Sequence, residues 1–249
     1  MTEIFEDLPC QEQELSFDTT NVYLARSIRP RYSLQGLKTE EGEYNNYALM
    51  LSDQCPWHFV IRTDMEEIEL DGSLPSQIGA CIDILSDYNP LIELDGRNGK
   101  FRRFPISAVK ETLTNALIHF DPLEDYRIYV SHNSNRIKVE SPGGFNSKSD
   151  YGRSHMIGPR NMKMGLMMVE LGEATLTGRG LAIVRNNYST SGMMPSIQKT
   201  KNRFIVRLPS LDSLSQMNEN GKAIVLSFLR ENRSALMSRI SHELMISSH

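Results

Sequence analysis

Between residues 105 and 209, strand-like runs come in neighbouring pairs, with helical stretches between the pairs. Tyr126–Ser131 and Arg136–Glu140 join across Asn133-Ser134, and Ser196–Lys199 is followed closely by Arg203–Leu208. Strands joined by tight turns pair antiparallel, because a parallel partner needs a crossover of about a dozen residues or more. Apolar residues recur at helical spacing over Ile106–Phe120, Asn161–Leu171 and Gly180–Tyr188. These patterns predict an α+β chain, an α/β sandwich with a mixed or antiparallel sheet, and they exclude a doubly wound parallel one.

The segment before Pro105 is punctuated differently. Leu15–Leu37 reads as an amphipathic helical stretch interrupted at Arg29-Pro30. Tyr47–Leu51 and Trp57–Ile61 are short apolar runs, the second strand-like, and Glu66–Leu70 reads as an edge strand. Asp71-Gly72-Ser73 is turn chemistry, a helix is expected from Leu74 until Asn89-Pro90, and Leu91–Arg103 reads as a hairpin. Trp57 reads as a core residue. Three units follow from this punctuation: 1–103, a smaller α/β unit; 104–209, the sandwich; and 218–249, a short helical tail.

Charge divides at the same boundary. Residues 1–99 carry 6 Lys+Arg against 19 Asp+Glu, or −13; residues 100–209 carry 17 against 8, or +9; the remainder balances at 4 against 4. Opposite halves either dock on each other or leave the basic one to handle anions. Cys10, Cys55 and Cys81 have no CxxC spacing, which supports neither a disulfide framework nor a zinc site. No apolar run is long enough to span a bilayer and the acidic start is not a signal peptide, so a cytoplasmic protein without membrane contact is expected.

Three segments carry chemistry. Glu111, Asn115 and His119 share one helical stripe within about 80°, while Val109, Leu113, Ala116, Leu117 and Phe120 mark another face. A carboxylate one turn before a carboxamide can hold a water beside a Mg²⁺, an ion that keeps several of its waters. The same segment also reads as a plain amphipathic helix with a solvated face. Glu140-Ser141-Pro142-Gly143-Gly144 follows a strand, where glycines permit close backbone approach to a ligand or simply make a turn. Thr177-Gly178-Arg179-Gly180-Leu181 opens a helix whose exposed N–H groups suit phosphate, or it is a packing turn.

The order of these pieces resembles the Bergerat-type ATP-binding fold of gyrase, MutL and the sensor histidine kinases. It is most similar to the divergent branch of RecG-like C-terminal ATPase domains found in bacterial transcriptional regulators. The matches are Glu111, Asn115-Ala116, His119 and Asp121, then Ser141-Pro142-Gly143-Gly144, then Arg160-Asn161, then Gly178, Gly180 and Leu181, all within residues 104–209. Phe120, Pro122, Met162 and Arg179 depart from the branch, and Ser141 stands where the wider family reads adenine with an Asp. Residues 44–55 and 71–78 are similar to the end of a Schlafen-type AlbA domain in the same regulators.

The resemblance implies a bound ATP and Mg²⁺. Asn115 would coordinate the metal, and Glu111 would act catalytically by orienting or deprotonating a water. Ser141, Gly143 and Gly144 would meet the base or ribose, and Gly178, Arg179 and Gly180 the phosphates. Residues 145–160 would form a lid offering Lys148, Arg153, His155 and Arg160, with His119 behind the site. Residues 221–244 read as two helices, similar to the first part of a winged helix-turn-helix; sequence-specific DNA binding would need the recognition helix that comes next. The expectation is therefore a nucleotide-sensing regulator that reaches DNA through a full-length C-terminal domain and forms a homodimer. The alternatives are a Mg²⁺-dependent ATPase of a DNA-processing or defence system, and a scaffold that no longer hydrolyses ATP. No Walker-type phosphate loop supports a helicase.

Overall fold

The structure is a computed structural model, and it describes residues 4–26, 34–94, 98–144, 159–174, 180–189, 191 and 193–212. A 3-10 turn at Phe5–Asp7 precedes α1 (Asp18–Arg26), α2 (Asn46–Leu51), β1 (His58–Arg62), β2 (Glu67–Glu69) and α3 (Leu74–Asp87). A small hairpin follows, β3 (Leu91–Glu93) with β4 (Lys100–Arg102), and then α4 (Ile106–His119). The chain continues through β5 (Arg127–Asn133), β6 (Arg136–Pro142), α5 (Met162–Glu170), α6 (Gly180–Asn186), β7 (Ser196–Lys199) and β8 (Arg203–Pro209). The tail beyond Asp212 lies outside the described residues.

One six-stranded mixed sheet runs β2-β1-β5-β6-β8-β7. Every neighbouring pair is antiparallel except β1 with β5, where His58 to Arg62 lie beside Arg127 to Ser131 in parallel. The expected α/β sandwich with a mixed sheet is what forms. The β5–β6 turn is set locally, since Asn133 Oδ1 accepts from the N–H groups of Asn135 and Arg136, both at 3.0 Å. Alternation then sorts the strands, with Ile128, Val130, Ile137, Val139, Val206 and Leu208 buried in the core beneath the helices. The outer face is neutralised in pairs: Arg62 with Glu67, Arg127 with Glu69 at 2.7 Å, Lys138 with Glu140 at 2.7 Å and Arg203 with Asp125 at 2.5 Å.

The units expected at 1–103 and 104–209 share this sheet and a single hydrophobic cluster reaching from Cys10 to Leu208. Their opposite charge serves docking: Arg127 pairs with Glu69, and Lys163 Nζ lies 2.5 Å from Asp7 Oδ1. Gln77 of α3 latches the two layers together. Its Oε1 accepts from Phe59 N at 2.7 Å, and its Nε2 donates to Trp57 O at 2.9 Å and Gly72 O at 2.7 Å. Trp57 is a core residue as expected, donating from Nε1 to Pro122 O at 3.1 Å. Cys10, Cys55 and Cys81 are all buried thiols, and burial holds the Cys55 thiol at about 12, which leaves it unreactive near neutrality. Among the described residues no helix is long and apolar enough to cross a membrane.

The helical stretch expected over Leu15–Leu37 is shorter. α1 covers Asp18–Arg26, whereas Leu37 O accepts from Asn45 N at 3.0 Å in an extended segment. A long-range partner starts α1. Asp53 Oδ2 accepts from Asp18 N (2.9 Å) and Ser16 Oγ (2.7 Å), and Oδ1 from Thr19 N (2.8 Å) and Thr19 Oγ1 (2.6 Å). Burial raises the Asp53 carboxyl, but these donors outweigh it and bring it down to about 2 from 3.8. A depressed carboxylate stabilises above its unfolded value and loses that contribution as pH falls through the folded one. Asp53→Ala should therefore cost about 2 kcal/mol at pH 7, and the gap to wild type should narrow between about pH 4 and pH 2. Urea denaturation across that range checks it; a gap independent of pH would remove Asp53 from this role.

Candidate functional site

The site rests on α4. Val109, Leu113, Ala116 and Leu117 bury one face in the core, which leaves Glu111, Asn115 and His119 half-buried on the neighbouring stripe. Asn115 Nδ2 donates to Glu111 Oε1 at 2.9 Å and to the Glu111 carbonyl at 2.8 Å. That use of the amide N–H leaves Oδ1, the atom a metal would need, as an acceptor. Burial pushes the Glu111 carboxyl up, with the Asn115 hydrogen bond partly offsetting it. A carboxylate raised in this way is a better match to proton abstraction near neutral pH.

The start of α6 closes on this pair. A Cβ on Gly180 would stand 2.3 Å from Glu111 Oε1, 2.6 Å from Asn115 Nδ2 and 3.1 Å from Asn115 Oδ1. Only glycine lets the backbone approach so closely. The other end of the contact is fixed where Ser107 Oγ donates to Asn187 Oδ1, so α6 lies along α4. The structure thus brings together Glu111, Asn115 and Gly180, which are separated by up to 69 positions (180 − 111) in the chain. Gly178 and Arg179 lie outside the described residues, as does the expected lid from Phe145 to Gly158 with Lys148, Arg153 and His155.

A second knot gathers at the C-terminal end of α4. Arg160 Nη1 donates to Asp121 Oδ2 at 2.5 Å, and Asp121 N donates to Pro142 O at 2.9 Å. Burial, then the nearby Arg160 and Lys199, hold the His119 ring below its ordinary value, so it is neutral at pH 7. Ser141 is 1% exposed on the core side of β6, beside Phe204 of β8. Gly143 has φ +91°, and a Cβ there would meet Arg160 Nη1 at 2.3 Å and Asp121 Cβ at 2.7 Å. At Gly144 a Cβ would stand 2.0 Å from the Lys201 carbonyl oxygen. Protein atoms fill the space beside both glycines, so chain packing by itself accounts for them.

Sequence reasoning matched Asn161 as part of a motif without finding its task. Its Nδ2 donates to Leu117 O at 3.0 Å and Phe120 O at 3.1 Å, satisfying carbonyls at the end of α4. Glu6 was missed altogether: it is fully buried and accepts from the amides of Lys163 (2.8 Å) and Met164 (2.8 Å). Its partners lie 157 and 158 positions away, beyond any local pattern. A cavity of about 10 Å³ between α3 and α4, lined by Ile82, Leu85 and Val109 among others, has room for about one water and lies apart from the Glu111 stripe.

The donor set fits a nucleotide-bound Mg²⁺ rather than a cage of protein ligands. Among the described residues no group of three His, Cys, Asp or Glu could hold a metal. One carboxamide oxygen beside one carboxylate suits an ion that takes its remaining ligands from phosphate and water. No family model and no curated protein matches this chain. Its fold is similar to that of the DIP2311 protein from Corynebacterium diphtheriae, a crystal structure, with a TM-score of 0.65 at 15% identity over 92% of this chain. The match covers 54% of that protein, so the chain spans about half its length.

Proposed function

We propose that the Glu111–Asn115 face of α4 binds a nucleoside triphosphate with Mg²⁺, in the manner of the Bergerat-type ATPase domains of bacterial transcriptional regulators. The observation that carries the reading is the seating of Gly180 on the Glu111–Asn115 pair. Two motif pieces matched separately in the sequence, the Glu111–Asn115 pair and Gly180, meet there, as they would have to at one phosphate site. Asn115 Oδ1 would hold the metal, and Glu111, raised by burial, would orient or deprotonate a water. Backbone N–H groups at the start of α6 would face the phosphates, and Arg160 would add positive charge from the far end of α4. The bound metal would polarise the phosphoryl oxygens. On this reading the protein is a cytoplasmic, homodimeric regulator whose nucleotide state is passed on to DNA.

Two observations favour a second reading, a scaffold that has lost turnover. Ser141 offers a hydroxyl where a carboxylate would select adenine, and Arg160 is already engaged by Asp121. Calorimetric titration with ATP, ADP and GTP, with and without Mg²⁺, separates the two. Binding that strengthens with Mg²⁺ supports the first reading. Asn115→Ala should then abolish the Mg²⁺ dependence at a cost of about tenfold in affinity, and Glu111→Ala should bind normally while lowering turnover. Absence of binding by the wild type leaves the scaffold.

A further inference from the structure

We propose that Glu6 is a positioning residue for Arg160: from the N-terminal segment it caps the first turn of α5 and thereby fixes the chain at residues 160–161 against the end of α4. The inference rests on the reading of Arg160 as part of the nucleotide site, and it extends that reading to the N-terminal unit.

The first turn of a helix leaves amide N–H groups without partners, and the residue before it ordinarily supplies an acceptor. At α5 that residue is Asn161, which makes no such bond. Its amide group is spent instead on Leu117 O and Phe120 O, and its own N–H on Ile118 O at 3.0 Å. The task of starting α5 passes to Glu6. Its two carboxylate oxygens each take one amide, Oε2 from Lys163 and Oε1 from Met164, both at 2.8 Å.

The segment bearing Glu6 is itself held on both sides. Asn46 Nδ2 donates to Phe5 O at 3.0 Å and Asn46 N to Leu8 O at 2.9 Å, while the Phe5 ring meets Trp57 edge-on at 5.9 Å. Asp7 pairs with Lys163 Nζ at 2.5 Å, so the hydrogen bond from Lys163 to Glu6 comes from its backbone amide. Glu6 is fully buried, and burial raises its carboxyl against the pull of the two amides and Lys163, with Asp7 adding to the rise. A buried carboxylate held mainly by backbone N–H groups gives direction as well as attraction, because each oxygen is committed to one donor. Arg160 is three residues from Lys163, the nearer of the two capped amides, and lies between Asn161 and its ion pair with Asp121. Loss of the cap would leave two buried amides unpaired and release the first turn of α5, so that Arg160 would be held from one side only.

The test is an NMR titration of the His119 ring, alongside calorimetric titration with MgATP, in wild type, Glu6→Gln and Glu6→Asp. Burial first and then the nearby Arg160 depress the His119 pKa, so a displaced Arg160 should let it rise in Glu6→Gln. Removing a distant negative charge would move it the other way. MgATP affinity should fall about fivefold in the same variant. Glu6→Asp keeps the charge on a shorter arm and should show a smaller rise; it carries the test if Glu6→Gln does not fold. A folded variant whose His119 titrates as in wild type, or lower, overturns the proposal, because a cap that serves stability alone would lower the melting temperature without moving His119. Failure of the wild type to bind MgATP would sink the nucleotide reading and leave the His119 result to judge Glu6 independently.

Discussion

Gly180→Ala is expected to leave the chain folded and to weaken MgATP binding by roughly tenfold, the weight of the lost Asn115 contact. The added methyl would stand 2.3 Å from Glu111 Oε1 and 2.6 Å from Asn115 Nδ2, distances no real Cβ tolerates. Both obstructing atoms are ends of side chains, so they can swing away while the backbone of α4 and α6 stays in place. Stability should change little, since alanine is the better helix former by about 1 kcal/mol and offsets part of the crowding. The metal ligand and the water-orienting carboxylate are displaced together, which is why one methyl should combine the affinity loss of Asn115→Ala with the turnover loss of Glu111→Ala. Calorimetric titration beside a thermal melt reads both effects. Wild-type affinity in Gly180→Ala would show that the Glu111–Asn115 pair is not where nucleotide binds.

Gly144→Ala should do the opposite, costing at least about 3 kcal/mol of stability and lowering the melting temperature by roughly 10 °C. Here the obstructing atoms are backbone: the Lys201 oxygen at 2.0 Å, the Thr200 oxygen at 2.2 Å and the Lys201 carbonyl carbon at 2.3 Å. They belong to the β7–β8 turn, which is closed by Thr200 N donating to Arg203 O at 2.9 Å and accepts from Gly143 N at Asn202 O, 3.0 Å. To admit a methyl this turn must move and break those bonds. Gly79→Ala in α3 is the control, since a Cβ there meets Tyr23 at an ordinary 3.4 Å and should be neutral or stabilising. Differential scanning calorimetry distinguishes the cases; a Gly144→Ala protein as stable as wild type would mean that the β6 end and the β7–β8 turn do not pack as described.

What was legible in the sequence is what local physics writes there. Period-two alternation and the Asn133 turn identified the β5–β6 and β7–β8 hairpins to within two residues at each end, because both depend on neighbours a few positions away. The stripe of Glu111, Asn115 and His119 was readable for the same reason: helical spacing puts every fourth residue on one side. The parallel pairing of β1 with β5 had no such sign, since a parallel partner is recruited across an entire crossover and leaves no mark on either strand. That pairing joins the two expected units into one sheet. Tertiary structure also decided what each polar residue is for. Asn161 sits where a helix cap belongs and serves the end of another helix, while Glu6 comes from the other end of the chain to do its work. A buried N–H or C=O takes whichever partner the packing brings within about 3 Å, so a residue's type shows what it can bond to, and only the assembled fold decides which bond it makes.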